Sequence, residues 1–159
     1  MSVSVQEADF DTGAEIAALS AGRPEVGAVA SFVGLVRDIS EGSEVSAMTL
    51  EHYPGMTEQA LEDIVAEARR RWKLHGVRVI HRYGSLLPGD QIVFVGVAGE
   101  HRGESFEACA FIMDYLKTRA PFWKREETPE GARWVDARES DDSAAERWSE
   151  DWDEIEQRR

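Results

Sequence analysis

The sequence predicts an α+β fold built from antiparallel strands and two main amphipathic helices. Apolar or alternating segments of strand length occur in pairs, and short polar or glycine-containing turns separate the members of each pair. Two longer segments repeat their apolar residues every three to five positions, as amphipathic helices do. The segments do not follow the regular strand and helix alternation of a doubly wound sheet, so an α+β arrangement is favoured.

The N-terminal part of the chain contains three predicted strands and a short helix. Weak patterns predict a strand at Val3–Gln6 and a helix at Thr12–Ser20. Val26–Val36 is apolar or small on both faces, which is typical of a strand covered on two sides. Val45–His52 is a further strand pattern, and the polar segment Ile39–Ser43 before it predicts that these two strands form a hairpin.

The first main helix is predicted to follow the chain break at Pro54–Gly55. Apolar residues recur along one helical face from Met56 to Trp72. We expect Thr57 to be the N-cap, because a threonine hydroxyl can accept a hydrogen bond from the first turn. The end of the helix is basic and suits the helix dipole, through Arg69, Arg70, Arg71 and Lys73.

The C-terminal half predicts a second hairpin, a second main helix and two short strands. Val77–Tyr83 and Ile92–Val97 are the strands of the hairpin. The helix covers residues 106–120, is entered through residues 103–105 and ends before Pro121, since a residue that precedes proline avoids the helical conformation. The short strands are Phe122–Glu127 and Arg133–Val135.

The length of 159 residues suits one domain, which we place at residues 1–148, with an acidic C-terminal tail at 149–159. Trp148, Trp152 and Ile155 have a spacing that allows a helix near this end. The single cysteine, Cys109, cannot form an internal disulfide and is interpreted as a core thiol.

The net charge of −13 argues against general binding to nucleic acid or to an anionic membrane surface. No segment approaches the roughly 20 apolar residues that cross a bilayer, and no basic and apolar leader is evident, so a cytoplasmic location is expected. The four histidines form no close pair, so no metal site is expected. Motifs for nucleotide hydrolysis, dinucleotide binding and serine hydrolysis are absent, and no cofactor is expected.

A group of cations around Pro121 stands out in this acidic sequence. Lysine occurs only at positions 73, 117 and 124, and two of these lysines flank the proline together with Arg119 and Arg125. Lys117 follows Met113 by four residues, at the rim of the apolar stripe. Lysine can take part in proton transfer, whereas arginine stays charged. The pattern fits acid–base chemistry, and it fits equally a solvated helix end.

A second candidate anion site is the loop Gly99–Gly103, which follows an apolar strand and precedes a helix. Backbone N–H groups at a helix start favour an anion, and His101 and Arg102 could hold a phosphate there. Alternatively, His101 caps the strand and Arg102 pairs with Glu104. Arg37 ends its strand and either reaches the same place or faces water.

Several separate motifs, in the same order along the chain, resemble the large catalytic subunit of molybdopterin synthase. The likeness runs from about Val26 to Trp148. The motifs are Phe32-Val33-Gly34-Leu35-Val36-Arg37, Leu50-Glu51-His52-Tyr53-Pro54-Gly55-Met56, His81-Arg82-Tyr83-Gly84, Pro88-Gly89-Asp90, His101-Arg102 with Phe106-Glu107-Ala108, residues 114–126 and Ala137-Arg138-Glu139-Ser140.

The resemblance implies a fold of the α/β hammerhead type and a sulfurtransferase. Members of this family convert cyclic pyranopterin monophosphate to molybdopterin, by installing two sulfurs as a dithiolene. The implied sulfur donor is a small ubiquitin-like subunit whose C-terminal Gly-Gly tail ends in a thiocarboxylate. The implied assembly is a homodimer of large subunits with a small subunit at each end, and its pockets draw residues from both large chains.

The resemblance also implies roles for individual residues. Lys117 and Lys124 fall on catalytic positions. The positions that contact substrate are Leu35, Val36, Arg37, His101, Arg102, Arg125 and Glu126, besides the two lysines, and Arg138 is a further anion-site candidate. Two rival hypotheses remain: an adaptor that binds a ubiquitin-like tail without catalysis, and an enzyme of the same fold that acts on another phosphorylated molecule.

Overall fold

The computed structural model describes residues 2–40, 42–135 and 139–148, which form ten strands and four helices. In chain order they are β1 (Val3–Gln6), α1 (Thr12–Ser20), β2 (Ala28–Leu35), β3 (Ile39–Ser40), β4 (Ser43–Glu44), β5 (Ala47–His52), α2 (Met56–Arg71), β6 (Leu74–Arg82), β7 (Gly84–Leu86), β8 (Gln91–Gly99), α3 (Arg102–Arg119), β9 (Phe122–Thr128), β10 (Gly131–Val135) and α4 (Glu139–Glu146).

The strands form two four-stranded sheets and a small ribbon. The first sheet has the order β1-β6-β8-β2, the second has the order β10-β9-β5-β7, and β3 pairs with β4. Within the described residues the pairs are antiparallel except for β1 and β6, which are parallel. The predicted α+β class is confirmed, with α2 and α3 as its two main helices.

The first predicted hairpin is wrong, whereas the second is confirmed. β2 does not pair with β5 but lies beside β8, with Ala28 opposite Gly99, and β5 pairs with β7 and β9 in the other sheet. Residues 36–46 carry the β3–β4 ribbon and lead the chain from one sheet to the other. β6 and β8 pair as expected, although the chain between them contributes β7 to the second sheet.

The core lies on both faces of the first sheet. α2 and α3 cover one face, where Val79, Val95 and Phe111 are fully buried. α1 covers the other face, where Leu19 packs with Ile80 and Phe94. Alternate residues of β6 and β8 therefore enter different halves of the core, which is why residues 92–98 of β8 are apolar on both faces.

Both main helices begin differently from the prediction. Gly55, with φ 86°, is the N-cap of α2, and Thr57 is buried inside the first turn. α3 already begins at Arg102, so the predicted entry residues 103–105 are its first turn. The Glu104 carboxylate accepts a hydrogen bond from the His101 N–H at 2.9 Å, which is a capping interaction.

The end of the described chain packs against the core. The Trp148 ring lies edge-on to Trp72 and Phe111, with centroids 5.7 and 5.6 Å apart, and its indole N–H donates to Asp114 Oδ2 at 2.7 Å. Trp148 thus joins α4 to α2 and α3. Trp152, Ile155 and the rest of the predicted tail 149–159 lie outside the described residues.

Candidate active site

A cavity of 370 Å³ opens where the C-terminal end of α3 meets β9 and the end of β2. Lys117 and Lys124 both line it, so the fold brings the two lysines that flank Pro121 to one concave surface. The wall contains both polar and apolar side chains, namely Leu35, Val36, Arg37, Ile39, Ser40, Met48, Leu50, His81, Ile92, Leu116, Lys117, Ala120, Phe122, Lys124, Glu126 and Val135.

The turn between α3 and β9 sets the position of the two lysines. Lys117 lies in the last turn of α3 and is exposed at the rim of the cavity. Lys124 is half-buried on β9, between Leu50 of β5 and Val135 of β10. Their approach follows from the sharp change of direction at Pro121, where the helix gives way to the strand.

Leu35, Val36 and Arg37, at the end of β2, form a further part of the cavity wall. Val36 is held by two backbone hydrogen bonds, from its N–H to the Asp90 carbonyl at 2.9 Å and from the Gly89 N–H to its own carbonyl at 2.8 Å. Arg37 follows directly and is exposed. The anchored backbone of Val36 therefore places a guanidinium group at the mouth of the cavity.

Glu126 provides the acidic group of this wall and is only 4% exposed. Its Oε1 lies 3.5 Å from Arg133 Nη2 on the neighbouring strand β10, and it accepts no hydrogen bond within the described part of the chain. The same guanidinium donates to the Ser40 carbonyl at 2.8 Å. A buried carboxylate with spare acceptor capacity suits a ligand that presents N–H donors.

Arg125 does not line the cavity, although the resemblance places it among the substrate positions. Successive side chains of β9 point to opposite faces, so Lys124 and Glu126 share the cavity side and Arg125 faces away. Arg125 is exposed and lies 3.6 Å from Glu127. Arg138 lies outside the described residues.

His101 and Arg102 lie at the opposite end of α3 from the lysines. Lys117 follows Arg102 by fifteen positions, a distance of about 22 Å along a helix. The expectation that Arg37 reaches the His101 loop is also wrong within one chain. β2 runs antiparallel to β8, with Leu35 opposite Gln91, so Arg37 leaves the sheet at the end remote from His101.

His81 lines the cavity, and the sequence reasoning gave it no role. Burial lowers its pKa to about 4; a hydrogen bond with the Arg82 carbonyl opposes this shift, and the charges of Lys117 and His52 add to it. The sequence of β6 contains a signal for such a role, because Val77, Val79 and His81 occupy the same face of the strand. A histidine in an otherwise apolar alternation indicates a polar feature next to the core.

Across residues 2–40, 42–135 and 139–148, no group of three or more His, Cys, Asp or Glu side chains is placed to hold a metal ion. None of the helices in this part of the chain is both long and apolar enough to span a bilayer.

Comparison with known proteins decides the family. Residues 5–119 match the family model described as MoaE protein. The chain belongs to the MoaE family. It is 67% identical over 146 residues to the molybdopterin synthase catalytic subunit of Ralstonia nicotianae, and this match covers 92% of this chain and 83% of that protein. It is 65% identical over 139 residues to the protein of the same name from Escherichia coli, and this match covers 87% of this chain and 92% of that protein.

Solved structures of MoaE proteins share the fold. The chain is 57% identical to the molybdopterin biosynthesis MoaE protein from Burkholderia ambifaria, with a TM-score of 0.78, and the match covers 93% of this chain and 98% of that one. The fold implied by the resemblance is therefore confirmed. The identity of the family gives the lysine-lined cavity a specific chemical interpretation.

Proposed function

We propose that this protein is the catalytic subunit of molybdopterin synthase. It would convert cyclic pyranopterin monophosphate to molybdopterin by transferring two sulfurs from the C-terminal thiocarboxylate of a small ubiquitin-like subunit, in molybdenum cofactor biosynthesis. The observation that carries the proposal is that Lys117 and Lys124 face one cavity in a chain whose relatives are enzyme subunits of that name.

The charge of the cavity suits two anionic reactants. A cyclic phosphate and a thiocarboxylate repel each other, and cationic groups at one surface offset this repulsion. Arg37, Lys117 and Lys124 supply three positive charges to the cavity wall, in a protein whose net charge is −13. The contrast favours a site for anions at this one place on the surface.

The lysines and arginines have different tasks in the proposed mechanism. The planar guanidinium of Arg37 suits phosphate, because it can donate two parallel hydrogen bonds. Lys117 and Lys124 position the thiocarboxylate and transfer protons as sulfur adds to carbon and phosphate leaves it. The carboxylate of Glu126 can accept hydrogen bonds from the N–H groups of the pterin.

A homodimer would complete the phosphate site. In one chain His101 and Arg102 lie about 22 Å from Lys117 along α3, which is too far for a shared ligand. A two-fold axis perpendicular to α3 and next to its middle would bring the N-terminal end of this helix in one copy to its C-terminal end in the other. His101 and Arg102 of the second copy would then join Arg37, Lys117 and Lys124.

Exposed apolar side chains mark the surface where such a dimer could form. Phe32 and Leu35 on the edge strand β2 are 40% and 54% exposed, and Phe106 on the first half of α3 is 65% exposed. Large apolar groups that lie along one edge of a fold are typical of interaction surfaces. Size-exclusion chromatography with light scattering tests this assembly, and a monomer at micromolar concentration would contradict it.

The proposed partner is the small sulfur-carrier subunit, and the name of the relatives, catalytic subunit, already implies a second kind of subunit. Its extended Gly-Gly tail would enter the cavity with the thiocarboxylate directed at the lysines. The acidic surface would steer a basic face of this partner, in which case affinity falls with added salt. An affinity for the small subunit that does not change with salt concentration would contradict electrostatic steering. The cytoplasmic location remains a prediction.

Reconstitution is the experiment that decides the function. The purified protein is mixed with thiocarboxylated small subunit and cyclic pyranopterin monophosphate, and mass spectrometry follows formation of the dithiolene. We expect product with two added sulfurs. The rival adaptor predicts binding of the small subunit without product, and an enzyme for another phosphorylated molecule predicts that the cyclic substrate is left unchanged.

A further inference from the structure

The imidazole of His81 is held rigidly in the wall of the lysine cavity. Its side chain stacks on Phe122, with ring centroids 3.8 Å apart and planes inclined by 20°, and only 6% of the residue is exposed. Its Nδ1 lies 2.8 Å from the carbonyl oxygen of Arg82. A carbonyl oxygen can only accept a hydrogen bond, so Nδ1 carries the proton and Nε2 keeps its lone pair.

The free lone pair lies at the far edge of the ring. Nδ1 adjoins the base of the ring and is occupied by the main chain, whereas Nε2 is at the tip of a side chain that lines the cavity. Lys117 lines the same cavity, and its charge is one of the causes that lower the pKa of His81. The acceptor and the cation thus border one cavity.

The ring is neutral at physiological pH. Burial is the largest cause that lowers the pKa of His81, to about 4, and the Arg82 carbonyl only partly opposes it. The charged and titratable groups around the ring and its cavity are Lys117 on α3, His52 on β5, Lys124 and Glu126 on β9, and Arg37 after β2. Most of these groups are cationic, which further disfavours a protonated imidazole.

We propose that His81 is a positioning residue for Lys117, with Nε2 accepting a hydrogen bond from the lysine ammonium. The proposal rests on the function proposed above and adds a residue to its machinery. A neutral imidazole suits this task better than a carboxylate does. It orients the ammonium group without cancelling the positive charge that the anionic reactants require.

Lys117 is exposed at the rim of the cavity, so a fixed acceptor in the wall can set the direction of its side chain. A lysine side chain has four rotatable bonds between Cα and Cε, so its ammonium group can occupy many positions. A fixed acceptor selects the rotamers that place the ammonium over the cavity. The stacked ring of His81 cannot turn away, since Phe122 and the Arg82 carbonyl hold it.

The three lysines of the chain make the proposal directly measurable. Carbon-13 labelling of lysine Cε gives three NMR signals, and single lysine-to-arginine variants assign them. A neutral acceptor stabilises the ammonium form and raises the pH at which Lys117 titrates. Two substitutions distinguish the roles of the two ring nitrogens of His81. Asparagine keeps a donor near the position of Nδ1 but has no acceptor near that of Nε2. Glutamine can place an acceptor near the position of Nε2.

In the His81→Asn variant we expect the titration midpoint of Lys117 to fall by at least about 0.5 pH unit, the size of one modest hydrogen bond. In His81→Gln we expect it to stay within about 0.2 unit of the wild-type value, since the acceptor is retained. The signal of Lys73, an exposed residue remote from the cavity, should not move in either variant. An unchanged Lys117 midpoint in His81→Asn overturns the proposal, and so does a rise, because a rise would mean that the ring is protonated.

A second variant covers the case in which His81→Asn does not fold. His81→Phe keeps the stack on Phe122 but offers no acceptor, so it should lower the Lys117 midpoint as asparagine does. In the complete synthase, asparagine and phenylalanine should reduce kcat, with little change in the KM for the small subunit, and glutamine should restore most of kcat. The titration needs no substrate, so it can fail while sulfur transfer succeeds, and the two proposals are tested separately.

Discussion

The hydroxyl of Thr57 donates a hydrogen bond to the carbonyl oxygen of Pro121 at 2.9 Å. The hydroxyl oxygen of Thr57 also accepts a hydrogen bond from the Tyr53 N–H at 2.9 Å, and Thr57 is fully buried. This contact joins the first turn of α2 to the turn between α3 and β9. Because Pro121 stands between Lys117 and Lys124 in the chain, Thr57 fixes the geometry of the turn that sets the spacing of the two lysines.

Replacing Thr57 by valine should therefore affect both stability and turnover. The substitution keeps the shape but leaves the Tyr53 N–H and the Pro121 carbonyl without this partner, which should lower the free energy of unfolding by about 1 to 3 kcal/mol. Urea unfolding measures the loss. Thr57→Ser is the control, since it keeps the hydroxyl and should remain closer to wild type than valine does. Equal stability of the two variants would contradict the assigned role.

Lys117→Ala should lose nearly all turnover and fold normally. An acid–base group contributes on the order of 10² to 10⁴ in rate, and the side chain is exposed, so its removal leaves no cavity in the core. Single-turnover dithiolene formation is the measurement. Lys73→Ala is the matched control, because Lys73 is a surface residue outside the cavity. More than about a tenth of the wild-type rate in Lys117→Ala would contradict the assignment.

Two inactive variants should complement each other if the site contains residues of both copies. Lys117→Ala and Arg102→Ala lie at opposite ends of α3 and should each abolish activity. In a mixed dimer, one pocket carries both substitutions and the other carries neither. Random exchange of subunits should then restore about a quarter of the wild-type activity. No recovery, with mixed dimers verified by mass spectrometry, would mean that each pocket belongs to one chain.

Glu67 should be a major contributor to the stability of the helical layer. The residue is 4% exposed, and its carboxylate accepts hydrogen bonds from Arg70 at 2.7 Å and Arg71 at 2.9 Å. Burial opposes its ionisation, but the two arginines outweigh burial and hold the pKa of Glu67 below its ordinary value. Glu67→Ala should lower the free energy of unfolding by about 2 kcal/mol.

The control for this prediction is Glu62→Ala on the same helix. Glu62 is half-buried and makes no ion pair within the described residues, so its removal should change stability by less than about 0.5 kcal/mol. Denaturant titrations at pH 7 compare the two variants. If both lose the same amount, the ion pairs of Glu67 are not the cause.

Acid should destabilise the fold through His81. Its pKa is about 4 in the folded protein and about 6.5 in an unfolded chain, so the unfolded state binds the proton more readily between these values. Neutral His81 makes its full contribution to the free energy of unfolding above pH 6.5. As the pH falls towards 4, this contribution decreases by on the order of 3 kcal/mol. Unfolding free energies at pH 7, 5 and 4 should fall more steeply for wild type than for His81→Gln. Parallel curves would contradict this origin.

Periodicity in the sequence predicted the strands and helices better than their partners. The apolar spacing from Met56 to Trp72 identified α2 almost to the residue, because one buried face imposes that repeat. The apolar pattern of Val26–Val36 identified a strand but not its neighbour, since alternation is the same whichever strand lies alongside. The long-range pairing of β2 with β8 requires tertiary information.

The candidate site was predictable only in part for a similar reason. Lys117 and Lys124 are close in sequence, so one proline turn between them was enough to predict their proximity. His81 enters the cavity from a different sheet, and its role depends on Phe122 and on a backbone carbonyl. His101 and Arg102 belong to the other end of α3, about 22 Å from Lys117 along the helix, so the spacing within one chain does not join them to the lysines.

The state of Cys109 has a consequence for the route that sulfur takes. It is the single thiol of the chain, it is buried, and burial raises its pKa to about 11. A thiol in that state is almost never deprotonated at neutral pH and does not attack incoming sulfur. Burial and the raised pKa therefore disfavour a persulfide on Cys109. In the reaction proposed above, each sulfur atom would then pass from carrier to pterin without a stop on this cysteine.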